Sequence, residues 1–595
     1  MVINPKIRHA FDRFFHRTGE KFKISEHTIL IVLALFVGVI TGLGAVGFRW
    51  LIVTAGNFFF GHGAQGGQVL GGDSSISHYM VPLIPMIGGL LVGPIVAFFA
   101  PEAKGHGVPE VMEAVALKGG VIRPRVALAK SVASALCIGS GGSAGREGPI
   151  VQIGAATAST IGILFRMSAD RVKILVGCGS AAGIAAVFNA PIAGVMFALE
   201  VILGDFAIQT FSPVILSSVV SVVISHYFVG DYPAFIVPKY NLVSAWEIPM
   251  YMVLGIACGA VAVLFIITLY KFEDIFDYKI KINPALKPAI GGIILGSIGF
   301  FFPQVFADGY KAIDAVFGGK IVWELMFLLI FLKIIATSLT LGSGNSGGIF
   351  APSLFMGAMT GGVFGTVVHT LFPQITATPG AYILVGMGAA FAGSTHATIT
   401  GIIILFEMTN DYRIILPLMV ATVFSTLVAN RLKKESIYTL KLVRRGIRLK
   451  GGKDIALLDT IKVSEVMTKD YNSVPPDMTL RHLLHLMEEG KGDCYPVVDR
   501  YGDLRGMVAM QDIRTLITKE GMQDLVIVSD IIGPSVITIT PDETLNDALR
   551  LFGMRDVSIL PVVDPKTPRR LIGLLYRKDV LSVYNRKLLQ KETSD

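Results

Sequence analysis

Apolar residues dominate the chain from about residue 27 to 432, interrupted only by short polar or glycine-rich breaks. The segments run roughly over 28–55, 80–100, 125–140, 150–166, 174–202, 211–229, 248–271, 287–303, 322–341, 349–372, 379–408 and 413–430. About 20 apolar residues cross the hydrocarbon of a bilayer as a helix, so the pattern predicts a multi-pass, all-α membrane domain. Several segments are too short, too long or too glycine-rich for an upright span, which predicts tilted and broken helices. Beyond about 455 the pattern changes to that of a water-exposed domain with charges throughout. A repeat of 65 residues is legible there: Val463-Ser-Glu-Val-Met returns as Val528-Ser-Asp-Ile-Ile, and Pro496-Val-Val-Asp returns as Pro561-Val-Val-Asp. In each copy apolar residues fall at helical spacing: Leu480, Leu483, Leu484 and Met487, then Leu545, Ala548, Leu549 and Phe552. Thr544 and Asp547 form a capping box at the start of the second helix. Each copy reads as a small α/β module, and the two are expected to pack together.

Two breaks carry chemistry. The run Gly139-Ser-Gly-Gly-Ser-Ala-Gly-Arg-Glu-Gly-Pro149 puts Arg146 and Glu147 between two apolar segments, and ionisable groups at membrane depth are costly and by default functional. Glycine opens the backbone, and Pro149 fits a first helical turn, where its missing N–H has no partner to lose. A helix that begins inside the membrane presents free donors and a positive dipole end, which suits an anion. The run Gly342-Ser-Gly-Asn-Ser-Gly-Gly-Ile-Phe-Ala-Pro352 repeats the device, and Gly105-His106-Gly107-Val108-Pro109 is a weaker copy. None has the Gly-Lys-Ser/Thr of a nucleotide-binding P-loop or follows a strand.

Composition and charge agree with this reading. Mean hydropathy is +0.63; 52% of residues are hydrophobic, 16% are charged and 65 are glycine. The net charge of +8 is not a nucleic-acid signature, because the basic residues cluster at membrane borders. Residues 1–26 and 431–453 are both basic, so both ends are expected on the cytoplasmic side of the cell membrane. The first apolar segment is too long for a cleavable signal peptide. Cys137, Cys178, Cys258 and Cys494 have no metal-binding spacing, and neither a metal site nor a disulfide is expected. Motifs of intramembrane enzymes are absent, and the acids are too few for a divalent-cation transporter; the chain does not read as an enzyme.

The three glycine runs in this order, with Asn189-Ala-Pro-Ile-Ala-Gly194, Thr400-Gly-Ile-Ile-Ile-Leu-Phe-Glu-Met-Thr409 and Tyr438, resemble the CLC family of chloride channels and proton/chloride exchangers. The tail resembles a pair of CBS modules. The resemblance covers nearly the whole chain. It implies an inverted-repeat bundle of tilted and broken helices and a homodimer with one pore per subunit. It divides the chain into a cytoplasmic segment at 1–26, a transport domain at 27–442, a basic linker at 443–460, and CBS modules at 461–520 and 521–590. Glu147 matches the gating glutamate. The backbone around Gly145, Arg146 and Gly148, and around Gly348, Ile349, Phe350 and Ala351, matches the anion path. Tyr438 matches the tyrosine that coordinates the central anion. Chloride is the implied substrate.

Two positions depart from the family pattern. His106 stands where serine is usual and is expected to contact the anion, with a charge that changes near neutral pH. Val201 replaces the second of two consecutive glutamates found in proton-coupled exchangers; here the pair reads Glu200-Val201. That favours a passive channel, with a proton-coupled exchanger as the alternative, and His106 leaves open a CLC-type transporter of another small anion. Glu200 is expected to serve helix packing or a salt bridge rather than a proton path, and Glu407 and Asp411 are expected to belong to helix ends. In the CBS pair Asp512 and Asp579 match a ribose-binding aspartate, but Ala509 and Tyr576 replace the Ser or Thr three residues earlier. An adenine nucleotide there stays open beside a purely structural role, and no cofactor is required.

Overall fold

The computed structural model describes residues 26–61, 80–230, 240, 242–409, 411–445, 447, 461–488, 494–513, 523–533, 536–555, 557–565, 567, 569–580 and 582–583. The N-terminal basic segment and most of the basic linker lie outside the described residues. The chain divides into two compact units, residues 1–449 and 450–595.

In the first unit the helices are α1 (Glu26–Phe60), α2 (Leu83–Pro94), α3 (Val108–Leu117), α4 (Arg125–Gly139), α5 (Glu147–Leu164), α6 (Ala169–Phe188), α7 (Pro191–Phe197), α8 (Ile208–Val229) and α9 (Glu247–Asp274). They continue with α10 (Lys287–Phe301), α11 (Tyr310–Phe317), α12 (Trp323–Gly342), α13 (Phe350–Leu371), α14 (Pro379–Thr395), α15 (Thr398–Thr409), α16 (Ile415–Leu432) and α17 (Thr439–Arg444). Among the described residues 8 helical stretches are long and apolar enough to cross a membrane.

Two expected segments are each two helices. The 174–202 segment breaks at Asn189 (φ 58°) and the 379–408 segment at His396 (φ 57°), both left-handed caps that end α6 and α14. Left-handed backbone cannot continue a right-handed helix, and Asn tolerates it better than most residues. Tyr438, expected in the last membrane segment, instead precedes the six-residue α17 beyond the last span.

The two breaks belong to a twofold pattern that runs through the unit. Lys130 and Lys333, 203 residues apart, are both fully buried. Lys130 donates to the carbonyls of Ala103 and Gly105 (3.0 and 2.6 Å), and Lys333 to those of Val305 and Ala307 (2.9 Å each). Gly107 and Gly309, each with φ 83°, precede α3 and α11. The hydroxyl pairs Ser134–Ser346 (2.9 Å) and Ser143–Thr337 (3.1 Å) exchange partners between halves. Glu200, just past α7, accepts from the amides of Ile399 and Thr400 at the start of α15, while Glu407 of α15 accepts from the amides of Ile192 and Ala193 at the start of α7. Each carboxylate thus meets the positive end of the other helix. Glu407 thus serves a helix end, as does the Asp411 carboxylate, which accepts from the Arg413 amide (3.0 Å), and Glu200 does its structural work as a helix cap rather than in a salt bridge.

Small residues set the packing at matching places. A Cβ on Gly154 of α5 would lie 2.2 Å from the carbonyl oxygen of Gly179 on α6, and one on Gly357 of α13 would lie 2.2 Å from that of Gly386 on α14. Backbone approach this close needs glycine. It replaces hydrophobic burial as the source of helix–helix adhesion in lipid.

The second unit holds α18 (Leu480–Glu488), β1 (Cys494–Val498), β2 (Leu504–Ala509), α19 (Leu545–Arg555), β3 (Ile559–Val563) and β4 (Leu571–Tyr576), besides short single turns. Antiparallel pairs β1–β2 and β3–β4 each back one helix. The capping box is present: the Thr544 amide donates to Asp547, and the Asp547 amide donates to the Thr544 hydroxyl. The leading segments are exchanged between modules. Ile461 and Val463 pack with Leu545 and Phe552, whereas Val528 packs with Leu480 and Leu483. The two copies therefore fold as one interlocked pair.

Candidate anion site

The two opposed helices α5 and α13 begin inside the first unit, and a short backbone bridge ties their starts together. The Gly145 amide donates to the Gly348 carbonyl (2.8 Å), and the Gly348 amide donates to the Gly145 carbonyl (2.6 Å). These two amides, expected on an anion path, serve instead as the rivet between the halves. The amides of the first turns, at Glu147, Gly148, Phe350 and Ala351, have no carbonyl one turn back to meet. They supply the positive ends that face the rivet.

Glu147 is fully buried at this point. Its Oε2 is 2.1 Å from where a Cβ on Gly145 would stand, and that same position is 3.2 Å from the Ala351 amide nitrogen. The carboxylate is therefore lodged against the starts of both helices, in space that any side chain at position 145 would fill. Its Oε1 accepts a hydrogen bond from the Tyr310 hydroxyl, and its Oε2 has no hydrogen-bond partner. Tyr310 opens α11 directly after Gly309, and the Arg146 guanidinium carbon stands 5.4 Å from the centre of its ring. Sequence reading missed Tyr310. The signal was available: Gly309 lies 202 residues after Gly107, at the matching helix start. Lys130 and Lys333 were missed as well, although a lysine within an apolar segment is itself a signal.

At the same helix start, the His106 carbonyl oxygen would lie 2.3 Å from a Cβ on Gly148, so the first and second glycine runs are in contact. The His106 ring is buried, its Nδ1 has no hydrogen-bond partner, and its centroid is 5.8 Å from that of Tyr438. Lys441, Lys130 and Arg445 outnumber Glu110 among the charges around it. Burial first, and then that excess of positive charge, disfavours the protonated imidazole expected near neutral pH and suits a neutral ring with one N–H to donate. Tyr438 is buried and set in place through its neighbour. The Ile437 amide donates to the Ser394 carbonyl (2.9 Å), and the Tyr270 hydroxyl donates to the Ile437 carbonyl (2.6 Å). One turn on, Lys441 pairs with Glu110 of α3 (2.9 Å), and Arg445 bridges Glu110 and Glu113 (3.1 and 2.8 Å). Phe350 stacks between Phe188 and Phe391, with centroids 4.8 and 4.0 Å away.

The structure thus gathers His106, Glu147, Phe350 and Tyr438 around the starts of α3, α5, α13 and α17. Val201 lies in the turn past α7 and is nearly buried, at 9% exposure. Its neighbour Glu200 is committed to the start of α15, where its Oε2 also accepts from the Thr400 hydroxyl (2.7 Å). In the second unit the Asp512 carboxylate accepts from the Ala509 amide (2.8 Å), so one oxygen is engaged with its own turn, and Asp579 is half-buried.

The profile of the voltage gated chloride channel family matches residues 88–430, and that of the CBS domain matches 463–519 and 528–586. The chain is 30% identical over 579 residues to the chloride channel protein CLC-f of Arabidopsis thaliana, covering 84% of this chain and 73% of that one. It is 32% identical over 422 residues to the H(+)/Cl(-) exchange transporter ClcA of Salmonella arizonae, covering 70% and 88%. The crystal structure of a slow cyanobacterial Cl-/H+ antiporter superposes with a TM-score of 0.65 at 27% identity, over 71% of this chain and 98% of that one.

Proposed function

The chain belongs to the voltage-gated chloride channel, or CLC, family, and on that premise we propose that Glu147 gates a passive chloride path between the starts of α5 and α13. One observation carries this reading: a buried carboxylate lies against two converging helix starts, with one oxygen on Tyr310 and the other unpartnered. The place favours a negative charge, and the glutamate's own charge fills it. Chloride competes for the same donors. Protonation removes the carboxylate's charge and with it the attraction that holds the side chain in place. The vacated position, the Tyr438 hydroxyl and the His106 N–H then form a row of neutral donors. Neutral donors hold an anion loosely enough to release it, which conduction requires.

The passive mode rests on Val201 and Glu200. The usual proton-coupled exchanger of the family has an ionisable relay beyond Glu147, although other exchangers work with neutral residues there. The side chain at 201 cannot titrate, and the acid beside it is held by the amides of Ile399 and Thr400. A second reading, proton-coupled exchange, is favoured by the relatives named as exchanger and antiporter. Reversal potentials across reconstituted bilayers under a proton gradient decide between them: a passive path follows the chloride gradient alone, and an exchanger shifts with pH at a fixed stoichiometry. The pH dependence of chloride flux should vanish in Glu147→Gln; its persistence would remove the gate role.

The homodimer implied by the family has an apolar face available on α8 and α16. Val219 and Val223, then Leu416, Met419, Val423 and Leu427, are exposed at helical spacing on these two helices. Cysteine crosslinking between copies at these positions tests that contact.

A further inference from the structure

Beside the start of α5, the spans α1, α6 and α8 leave a shallow, half-open cleft. Its walls include Phe48, Val187, Val229 and Ser225, and two guanidinium groups, Arg49 and Arg146, line it. Neither arginine forms an ion pair with a carboxylate among the described residues. The Arg146 Nε is buried with no hydrogen-bond partner, while Arg49 is exposed. Of the acids near Arg146, Glu147 is engaged with Tyr310, and Asp308 acts on it only through space. Two like charges facing one apolar-walled cleft repel each other, and an anion between them relieves both.

The level of the cleft in the membrane indicates where such an anion comes from. Arg49 lies 21 residues after Thr28, in a first helical stretch that runs on to Phe60 and is longer than an upright crossing needs. At 1.5 Å per residue that separation is about 32 Å along the helix, close to the thickness of the hydrocarbon layer. Trp50 (65% exposed), Tyr227 (83%) and Phe228 (57%) stand on the outer surface of the same helices. Aromatic residues in that setting mark the level of lipid headgroups.

We propose that this cleft binds the phosphodiester headgroup of an anionic phospholipid, gripped between Arg49 and Arg146. Guanidinium groups match phosphate oxygens in geometry as well as charge, and the apolar walls accept the first part of the acyl chains. A free phosphate or chloride ion shares the charge but not the tail.

Trp50 is the natural reporter, since the chain has three tryptophans and the other two, Trp246 and Trp323, can be replaced by phenylalanine. In vesicles, brominated phosphatidylglycerol should quench Trp50 more strongly than brominated phosphatidylcholine at equal mole fraction. Arg49→Gln should lower that preference about fivefold, the contribution of one basic side chain near an anionic membrane surface, and Arg49→Lys should keep most of it. Equal quenching by the two lipids, or an unchanged preference in Arg49→Gln, overturns the proposal. Loss of the preference on adding millimolar inorganic phosphate assigns the cleft to a soluble anion and overturns the lipid source. Native mass spectrometry of the unaltered chain gives a second measurement. Phosphatidylglycerol should remain bound to the natural protein and be lost from Arg49→Gln, and equal retention by both counts against the site.

Discussion

Tyr310→Phe isolates the hydrogen bond that holds Glu147, the proposed gate. The substitution removes only the hydroxyl and leaves the ring beneath Arg146. The lost bond has a buried carboxylate as acceptor, and hydrogen bonds to charged groups contribute about 1.5–3 kcal/mol. Oε2 already lacks a partner, so no second bond takes up the difference. A loss of 1.5 kcal/mol corresponds to roughly a tenfold weaker hold on the closed position. Because glutamate and chloride compete for that position, apparent chloride affinity should rise by up to about the same factor. Calorimetric titration of the purified protein with chloride, at a pH where Glu147 is ionised, measures it. The control is the same substitution in Glu147→Gln. With the charge gone, Tyr310→Phe should change affinity less than about twofold, a non-additivity expected only of residues in direct contact. An equal shift in both backgrounds, or none in the natural one, would refute the latch.

Three further outcomes follow from the packing. In Gly357→Ala the new methyl meets the Gly386 carbonyl at 2.2 Å, whereas in Gly44→Ala it meets nothing within 4 Å. Overpacking costs about 1–3 kcal/mol, so only Gly357→Ala should lower the thermal midpoint in detergent; equal midpoints would contradict the close helix contact. Glu200→Gln should lower the midpoint by weakening the cap on α15 while leaving chloride reversal potentials unchanged, and a change in proton coupling would make Glu200 a proton carrier instead. Thr544→Val should destabilise the C-terminal unit by about 1 kcal/mol in urea titration of the full chain, the usual contribution of an N-cap hydroxyl; an unaltered transition would show that the cap adds nothing.

The sequence by itself determined the class of this protein and the chemistry of the residue proposed as its gate. Apolar runs require helices in a bilayer, and glycine followed by proline marks where a helix restarts; both are local properties. An acid between two such breaks has few roles other than a functional one, so Glu147 was legible, as were the repeat in the tail and the capping box at Thr544. What surrounds Glu147 was decided only by folding. Tyr310 reaches it from 163 residues away, and the Gly145–Gly348 bridge joins positions 203 apart. The breaks at Asn189 and His396 sit inside apolar stretches that hydropathy cannot divide, because a left-handed cap is a backbone state rather than a change in polarity. Glu200 and Glu407 read locally as acids near helix ends, but each caps a helix of the other half. Arg49 stands out in the sequence only as a charge within the first apolar segment, and only the packing of α1 against α6 and α8 brings it to Arg146. A side chain's own chemistry is written in the sequence; its partners depend on which distant segments the inverted repeat brings together.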